Sequence, residues 1–227
     1  LAKCAAFLQY ESEGVSSMKK GLFIVFEGGE FVGKTTQQKR AKIYLESKGL
    51  EVVATHEPGD GDPDIREKLL DAKGKISPEE ELNLFCEDRR LHMQNVIGPA
   101  LDEGKIVLSD RFEYSTISYQ GYGRGLPLDH IKKKNTEARG DAKPDLVLLL
   151  SADPFMVFQR EKTAKDRFEK ENLAFHQRVW LGFLVQAAED RKRWRVIDAT
   201  LSEEEVWQEV KKYLDQLISS RPSPSNV

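Results

Sequence analysis

Five short apolar segments recur along the chain, and a longer stretch of mixed polar and apolar residues follows each of them. The segments lie at residues 22–26, 51–55, 105–109, 145–150 and 194–198. Their hydrophobicity is continuous rather than alternating, which predicts strands that are covered on both faces by helices. The pattern therefore predicts a three-layer α/β fold, with a five-stranded parallel sheet and helices on both faces.

The stretches between and after these strands are predicted to be helices. They cover residues 34–48, 64–72, 78–97, 113–122, 128–138, 154–164, 169–192 and 202–218. Ser77 with Pro78, and Ser202 with Glu205 three residues later, are N-terminal capping patterns, whereas Gly49 stands where a C-terminal cap belongs. In an open parallel sheet, ligands bind beyond the carboxyl ends of the strands, so we expect the functional residues to follow the strands directly.

Composition and charge exclude several classes of protein. The net charge of −3 lacks the basic excess of a general nucleic-acid binder. The longest apolar runs, at 22–26 and 146–150, are far shorter than the roughly 20 residues of a membrane-spanning helix. Cys4 and Cys86 form no CxxC pair, which fits a reducing compartment. We therefore expect a cytoplasmic protein that binds neither nucleic acid nor a membrane.

A single domain is predicted for residues 18–218, because 227 residues suit one core and no change of composition marks a second. Residues 1–17 lack an initiator methionine and are expected to form a disordered extension before Met18. The tail at 219–227 is rich in proline and serine and is also expected to be disordered.

The segment directly after the first strand matches the phosphate-binding pattern GxxxxGK[ST]. It comprises Gly28, Gly29, Glu30, Phe31, Val32, Gly33, Lys34 and Thr35, and Thr36 continues it into a predicted helix. Glycine backbone can close around phosphate, and its amides meet the negative charge at the start of the helix. Lys34 supplies a charge for the β- and γ-phosphates, and the Thr35 hydroxyl can bind Mg²⁺. The motif predicts a nucleoside triphosphate site but leaves a GTPase, an ATPase motor and a small kinase open.

Further motifs follow the second and third strands and recur later in the chain. They are EPG at 57–59, LF at 84–85 with Arg89 one helical turn later, SDRF at 109–112, YST at 114–116, YQG at 119–121, GRG at 123–125 and DRFE at 166–169. Together they resemble the motifs of the thymidylate kinases, over roughly residues 20–210. The resemblance implies a P-loop NTPase fold with a small helical lid at about 160–169. It also implies Mg²⁺-dependent transfer of the γ-phosphoryl group of ATP to dTMP.

The same resemblance implies the residues that bind the acceptor phosphate. Arg111 would hold this phosphate, with help from Arg66, and Asp110 would lie near Mg²⁺. Glu30 would approach the sugar and the acceptor phosphate. A phosphate acceptor is already an anionic nucleophile, so arginines rather than a general base are the expected catalytic groups. The family pattern also includes Glu57, Pro58 and Ser115 among the substrate-binding residues.

Recognition of the nucleoside is inferred in the same way. Phe85 would stack on thymine, and Arg89, Thr116 and Gln120 would form hydrogen bonds with its edge. Tyr119 would crowd the 2′ position and so disfavour ribose. Phe85 and Arg89 are four residues apart, so both can address one ligand from one helix face.

The predicted lid and the last strand complete the expected site. Arg160, Lys165 and Arg167 would bring positive charge to the transferring phosphoryl group when the lid closes. Asp198 and Ala199 resemble the loop that contacts adenine. In the P-loop, Phe31 and Val32 replace the arginine or glycine and the small residue that are usual in the family, so the charge should come from the lid.

Three other functions are compatible with a P-loop. A guanine-nucleotide switch protein is disfavoured, because no NKxD-type guanine motif stands at the later strand, where the sequence reads DLVLLLSAD. A deoxynucleoside kinase shares the P-loop architecture but phosphorylates a hydroxyl group and needs a carboxylate base, for which Glu57 is the candidate. The position of Arg111 favours an anionic acceptor instead. A non-catalytic nucleotide-binding regulator is the third alternative. The resemblance further implies a homodimer, which the sequence does not predict independently.

Overall fold

The computed structural model describes residues 21–71, 76–158 and 166–220. The extension predicted at 1–17, the tail beyond residue 220 and most of the predicted lid therefore lie outside the described residues. Arg160 and Lys165 are among them.

A five-stranded parallel sheet forms the centre of the molecule, as the apolar pattern predicts. Its strands are β1 (Leu22–Glu27), β2 (Val52–His56), β3 (Ile106–Asp110), β4 (Leu146–Ser151) and β5 (Trp194–Asp198). They lie in the order β2-β3-β1-β4-β5, and each neighbouring pair is parallel. Phe26 of β1 and His56 of β2 both align with Asp110 of β3, so these three strands end at the same level. The residues that follow them are consequently brought to one edge of the sheet.

Helices cover both faces of this sheet. They are α1 (Lys34–Ser47), α2 (Pro63–Leu70), α3 (Pro78–His92), α4 (Gly98–Asp102), α5 (Glu113–Thr116), α6 (Leu128–Arg139), α7 (Pro154–Phe158), α8 (Leu173–Glu189) and α9 (Glu203–Ser219). Two π-helical segments, Met93–Ile97 and Ile117–Gly123, continue α3 and α5. The helices predicted at 78–97 and 113–122 therefore exist, but each changes its helical pitch near its end.

One predicted helix boundary is wrong. A helix was expected from residue 169, whereas α8 begins at Leu173. The Asn172 side chain accepts a hydrogen bond from the Phe175 amide at 2.9 Å and caps the helix there. Before it, the Asp166 carboxylate accepts the amides of Phe168 and Glu169, which holds this segment in turns. Short polar side chains that bind the backbone compete with helix formation in this way.

Alternate residues of the central strands pack against different helices. Ile24, Phe26 and Leu148 belong to a core cluster that includes residues of α1 and α9. Val147 and Leu149 belong to a second cluster with residues of α8, on the other face. Because side chains alternate along a strand, a continuously apolar strand needs cover on both faces. With both faces covered by helices, the loops beyond the carboxyl ends of the strands are left for ligands.

Candidate active site

The P-loop closes tightly around the side chain of its lysine. Gly28 has a φ angle of 144°, and a Cβ atom at this position would lie 2.4 Å from the carbonyl oxygen of Leu150. Only glycine fits such a close approach of two backbones. Helix α1 begins at Lys34, whose Nζ donates a hydrogen bond to the Gly29 carbonyl oxygen at 2.6 Å. Lys34 therefore lies within the loop, where a phosphate can take the place of the carbonyl oxygen as its partner.

The two residues that depart from the usual P-loop pattern make apolar contacts. The Phe31 ring packs edge-on against Phe158 of α7, with 5.3 Å between the ring centres. Val32 is buried in the core cluster below α1. Phe31 and Val32 thus attach the P-loop to its surroundings and supply no charge to the site.

The two residues predicted to lie near a metal are in direct contact. The Thr35 hydroxyl donates a hydrogen bond to Oδ2 of Asp110 at 2.6 Å. Among the described residues, no group of three or more His, Cys, Asp or Glu side chains could hold a metal by itself. Mg²⁺ commonly keeps several waters and combines one or two protein ligands with phosphate oxygens. The pair therefore fits a Mg²⁺ ion that arrives with a nucleotide rather than a resident metal.

Arg111 joins the P-loop to the segment that follows β3. Its Nη1 donates to the Gly28 carbonyl oxygen at 3.0 Å and to the Ser115 hydroxyl at 3.1 Å. Its Nη2 donates to Oε1 of Glu30 at 2.9 Å and to the Tyr119 hydroxyl at 3.3 Å. The backbone of Arg111 has a φ angle of 73°, a strained value for a residue with a side chain. These bonds fix the guanidinium between the P-loop and the segment that follows β3.

Glu30 remains ionised in this position. Burial by itself would raise its pKa, but the positive charges of Arg111 and Lys34 outweigh burial and lower the pKa to about 2. The Tyr119 hydroxyl donates a further hydrogen bond to Glu30. The Arg111 guanidinium lies over the ring face of Tyr119, with its central carbon 5.1 Å from the ring centre. Glu30 and Tyr119 therefore both help to hold Arg111 in place.

Glu27, which was not among the predicted site residues, binds the segment that follows β3. It ends β1 and is completely buried. Its carboxyl oxygens accept the amides of Phe112 at 3.0 Å and Ser115 at 3.2 Å, and the Ser115 hydroxyl at 2.7 Å. Burial raises its pKa to about 7, although Ser115, Arg111 and Lys34 oppose the shift. The signal in the sequence was an acidic residue at the end of an apolar strand, directly before the P-loop.

This raised pKa predicts a pH-dependent stability that Glu27→Gln should remove. Below pH 4.5 the carboxyl group is protonated in the folded and the unfolded chain, so it imposes no penalty there. As the pH rises towards 7, the unfolded chain releases the proton first, and the folded state loses stability relative to it. From the two pKa values this loss is on the order of 3 kcal/mol. Glutamine cannot ionise, so it escapes the loss.

The measurement is urea unfolding of the wild type and Glu27→Gln from pH 4.5 to about pH 8. The unfolding free energy of the wild type minus that of the variant should fall across this range. A difference that stays constant with pH would show that Glu27 does not titrate as described.

A cavity of about 710 Å³ extends from the P-loop across the carboxyl ends of β3 and β2. Most of the predicted catalytic and substrate residues line it. They are Glu30, Lys34, Thr35, Glu57, Pro58, Arg66, Phe85, Arg89, Asp110, Arg111, Ser115, Thr116, Tyr119 and Gln120. The rings of Phe85 and Phe168 have centres 5.9 Å apart, and Tyr119 packs edge-on against Phe168 at 5.7 Å. The cavity thus has a charged end at the P-loop and an aromatic end at α3.

Arg89 lies in the cavity wall, and its guanidinium is already bound by protein groups. It donates to Oε2 of Glu57 at 2.6 Å, to Oδ1 of Asn135 at 2.6 Å and to Oγ1 of Thr116 at 3.0 Å. His92 Nδ1 lies 3.1 Å from the other oxygen of Glu57. Burial would raise the pKa of Glu57, but the charge of Arg89 and the hydrogen bond with His92 outweigh it and lower the pKa. Arg89 therefore neutralises a buried carboxylate and orients Thr116; its bond to a nucleobase stays a prediction.

The turn between β2 and α2 brings Pro58 and Arg66 to the cavity. The peptide bond between Glu57 and Pro58 is cis. Arg66 Nη1 donates a hydrogen bond to the Pro58 carbonyl oxygen. Asp88 of α3 accepts the amides of Gly59 and Asp62, so this turn is attached to α3.

Three predicted residues lie elsewhere. Arg167 was expected at the transferring phosphoryl group, but its Nε donates to the Leu69 carbonyl oxygen and its Nη2 lies 2.6 Å from Oε2 of Glu81. The buried negative charge of Glu81 accounts for this position. Asp198 and Ala199 do not line the cavity: Asp198 accepts the Thr200 amide, and the Ala199 amide binds β4. Their contact with adenine stays a prediction.

Comparisons with known proteins agree on one family. The family model described as thymidylate kinase matches residues 26–210. A thymidylate kinase of Dehalococcoides mccartyi is 45% identical over 204 residues, which cover 88% of this chain and 98% of the relative. One of Gloeobacter violaceus is 42% identical, over 89% of this chain and 98% of the relative. The crystal structure of thymidylate kinase from Ehrlichia chaffeensis has a TM-score of 0.70 and 34% identity, covering 86% of this chain and 99% of that one.

Proposed function

Since the chain belongs to the thymidylate kinase family and therefore transfers a phosphoryl group to dTMP, we propose that ATP with Mg²⁺ is the donor and that the P-loop and the adjoining cavity bind the two substrates. The position of Arg111 is the observation that most supports binding of ATP at the P-loop and of dTMP in the cavity. Its guanidinium touches the P-loop carbonyl of Gly28 on one side and the cavity residues Ser115 and Tyr119 on the other. A fork of donors at such a junction can bind the phosphate that receives the phosphoryl group.

On the donor side, the chain supplies charge and backbone amides. Lys34 exchanges its bond to Gly29 for oxygens of the β- and γ-phosphates. Thr35 and Asp110 are placed to hold Mg²⁺, directly or through water. The ion, when bound, neutralises charge on the phosphates. Transfer between two phosphates is governed by positioning and charge stabilisation, which these groups provide.

On the acceptor side, no general base is required because the attacking phosphate oxygen is already ionised. Arg111 and Arg66 bind and orient this phosphate. Glu30 keeps Arg111 in place and, with its pKa lowered to about 2, carries a full negative charge at neutral pH. The basic residues that complete the charge around the transferring group are proposed to be Arg160 and Lys165.

The aromatic end of the cavity is proposed to bind the nucleoside. Phe85 and Phe168 offer apolar ring surface for the base, and Thr116 and Gln120 offer polar atoms for its edge. Tyr119 is fixed by Glu30 and Arg111, and we propose that it occupies the space that a 2′-hydroxyl group would need.

The finer predictions of a cytoplasmic homodimer, and of one kinase domain at 18–218 with a lid at about 160–169, are kept as proposals. The family resemblance supports them. No helix of the described residues has the length and hydrophobicity needed to cross a membrane.

We expect the purified chain to release ADP from ATP and Mg²⁺ fastest with dTMP, in a panel that also holds dUMP, UMP, AMP and thymidine. Removal of Mg²⁺ with EDTA should abolish turnover, because Thr35 and Asp110 carry no positive charge that could replace that of the ion at the phosphates. Phosphorylation of thymidine but not of dTMP would favour a deoxynucleoside kinase. Nucleotide binding without any turnover would favour a regulator.

A further inference from the structure

A buried carboxylate behind the aromatic end of the cavity is not explained by the proposed chemistry. Glu81 of α3 is 1% exposed and does not line the cavity. Its Oε1 accepts a hydrogen bond from Nε2 of Gln120 at 2.6 Å. Arg124 lies 3.3 Å from each carboxylate oxygen, and Nη2 of Arg167 lies 2.6 Å from Oε2. Two guanidinium groups thus balance the charge that Glu81 brings into the interior.

The contact with Glu81 determines which end of the Gln120 amide remains for a ligand. A carboxylate only accepts hydrogen bonds, so it must face the NH₂ group of Gln120 and not the carbonyl oxygen. The Oε1 atom of Gln120 is buried and has no hydrogen-bond partner among the described residues. Gln120 lines the cavity, and Oε1 is the end of its amide that no described protein group occupies. A buried acceptor without a partner is destabilising, so a ligand that supplies a donor is favoured.

We infer that Glu81 is a specificity-determining positioning residue: it holds the Gln120 amide so that the carbonyl oxygen Oε1 accepts a hydrogen bond from an imide N–H of the nucleobase. This inference rests on the proposed function. In a thymine or uracil nucleotide, N3–H is the one N–H on the base, so it must be the partner of Oε1. Cytosine carries a lone pair at N3, which would face a second lone pair on Gln120. Glu81 therefore selects imide pyrimidines without contacting the substrate.

Glu81 also helps to position an aromatic residue at the aromatic end of the cavity. Arg167 is adjacent to Phe168, whose ring lines the cavity beside Phe85 and Tyr119. The guanidinium of Arg167 lies over the Phe168 ring, 4.7 Å from its centre. The ion pair between Arg167 and Glu81 thus connects the ring proposed to contact the base with the amide proposed to bind its edge.

The test compares kcat and KM for dTMP, dUMP and dCMP in the wild type and in Glu81→Gln. A glutamine at position 81 can donate as well as accept, so Gln120 can turn either way. We expect the dTMP to dCMP ratio of kcat/KM to fall roughly 10- to 100-fold, the loss expected when a site no longer fixes a donor–acceptor pair. The dTMP to dUMP ratio should not change, because both bases keep N3–H. The KM for dTMP should rise more than kcat falls.

Three further variants separate positioning from folding. Glu113→Gln removes a buried carboxylate paired with Arg139 at 2.9 Å, away from the cavity, and should leave both ratios unchanged. Glu81→Asp keeps the charge beside both arginines but withdraws it from Gln120, so it should lower the dTMP to dCMP ratio even if Glu81→Gln unfolds. In a Gln120→Leu background, Glu81→Gln should have no further effect on the ratio.

The possible outcomes distinguish this inference from the proposed function. Wild-type protein without activity on dTMP would overturn the proposed function and this inference with it. An active wild type whose dTMP to dCMP ratio is the same in Glu81→Gln and Glu81→Asp would overturn the inference alone. An equal fall of the ratio in Glu113→Gln would also overturn it, since the effect would then be a general consequence of losing a buried pair.

Discussion

Arg111→Ala is expected to lower kcat/KM for dTMP by about 10³-fold, because the variant loses the guanidinium fork that we propose binds the acceptor phosphate between the P-loop and the cavity. The Arg111 guanidinium binds Gly28, Ser115, Glu30 and Tyr119, so its position is set before any substrate arrives. A prearranged charge needs little reorganisation when the transition state forms. The measurement is steady-state kinetics with ATP, Mg²⁺ and dTMP.

Two controls separate the charge of Arg111 from its geometry. Arg111→Lys keeps a positive charge but loses the planar fork, so its activity should lie between those of the wild type and Arg111→Ala. Arg139→Ala removes an arginine that is paired with Glu113 and does not line the cavity, and it should leave kcat/KM unchanged. If Arg111→Ala retains more than about a tenth of the wild-type kcat/KM, the acceptor phosphate binds elsewhere.

Arg89→Met should lower the free energy of unfolding by about 3–5 kcal/mol, the usual cost of leaving a buried charge without its partner. Arg89 and Glu57 have side chains that are 1% and 3% exposed, and Nη2 of Arg89 lies 2.6 Å from Oε2 of Glu57. Methionine occupies similar space without charge, so Glu57 would keep His92, 3.1 Å away, but would lose the guanidinium that neutralises it. Urea unfolding at neutral pH measures the effect.

The next residue on the same helix provides a matched control. Arg90 pairs with Glu87 at 2.7 Å, but both side chains are about half exposed. Arg90→Met should therefore cost much less stability than Arg89→Met, because solvent screens an exposed pair. If Arg89→Met costs no more than Arg90→Met, the buried pair does not stabilise the fold as described. Replacing Arg89 and Glu57 together by apolar residues should cost less than replacing Arg89 alone.

The sequence by itself determined the fold and the phosphate-binding loop. Strand burial is visible in consecutive apolar residues such as 22–26 and 146–150, because a strand covered on both faces needs no polar positions. The P-loop is equally local, since its conformation depends on glycines and a lysine that are adjacent in the chain. The alignment of β1, β2 and β3 then brought Lys34, Asp110 and the motif at 57–59 to one edge of the sheet, as expected.

Only the tertiary structure decided how the charged groups pair. Glu27 meets Ser115 across 88 residues, Arg89 meets Glu57 across 32, and Glu81 meets Gln120 across 39. No periodicity or motif in the sequence says which of these positions pair with each other. Arg167 likewise pairs with Glu81, which is far from it along the chain, and its predicted role at the transferring phosphoryl group stays a prediction. A buried charge binds whichever opposite charge the packed helices bring within reach, so its role is settled only when the chain is folded.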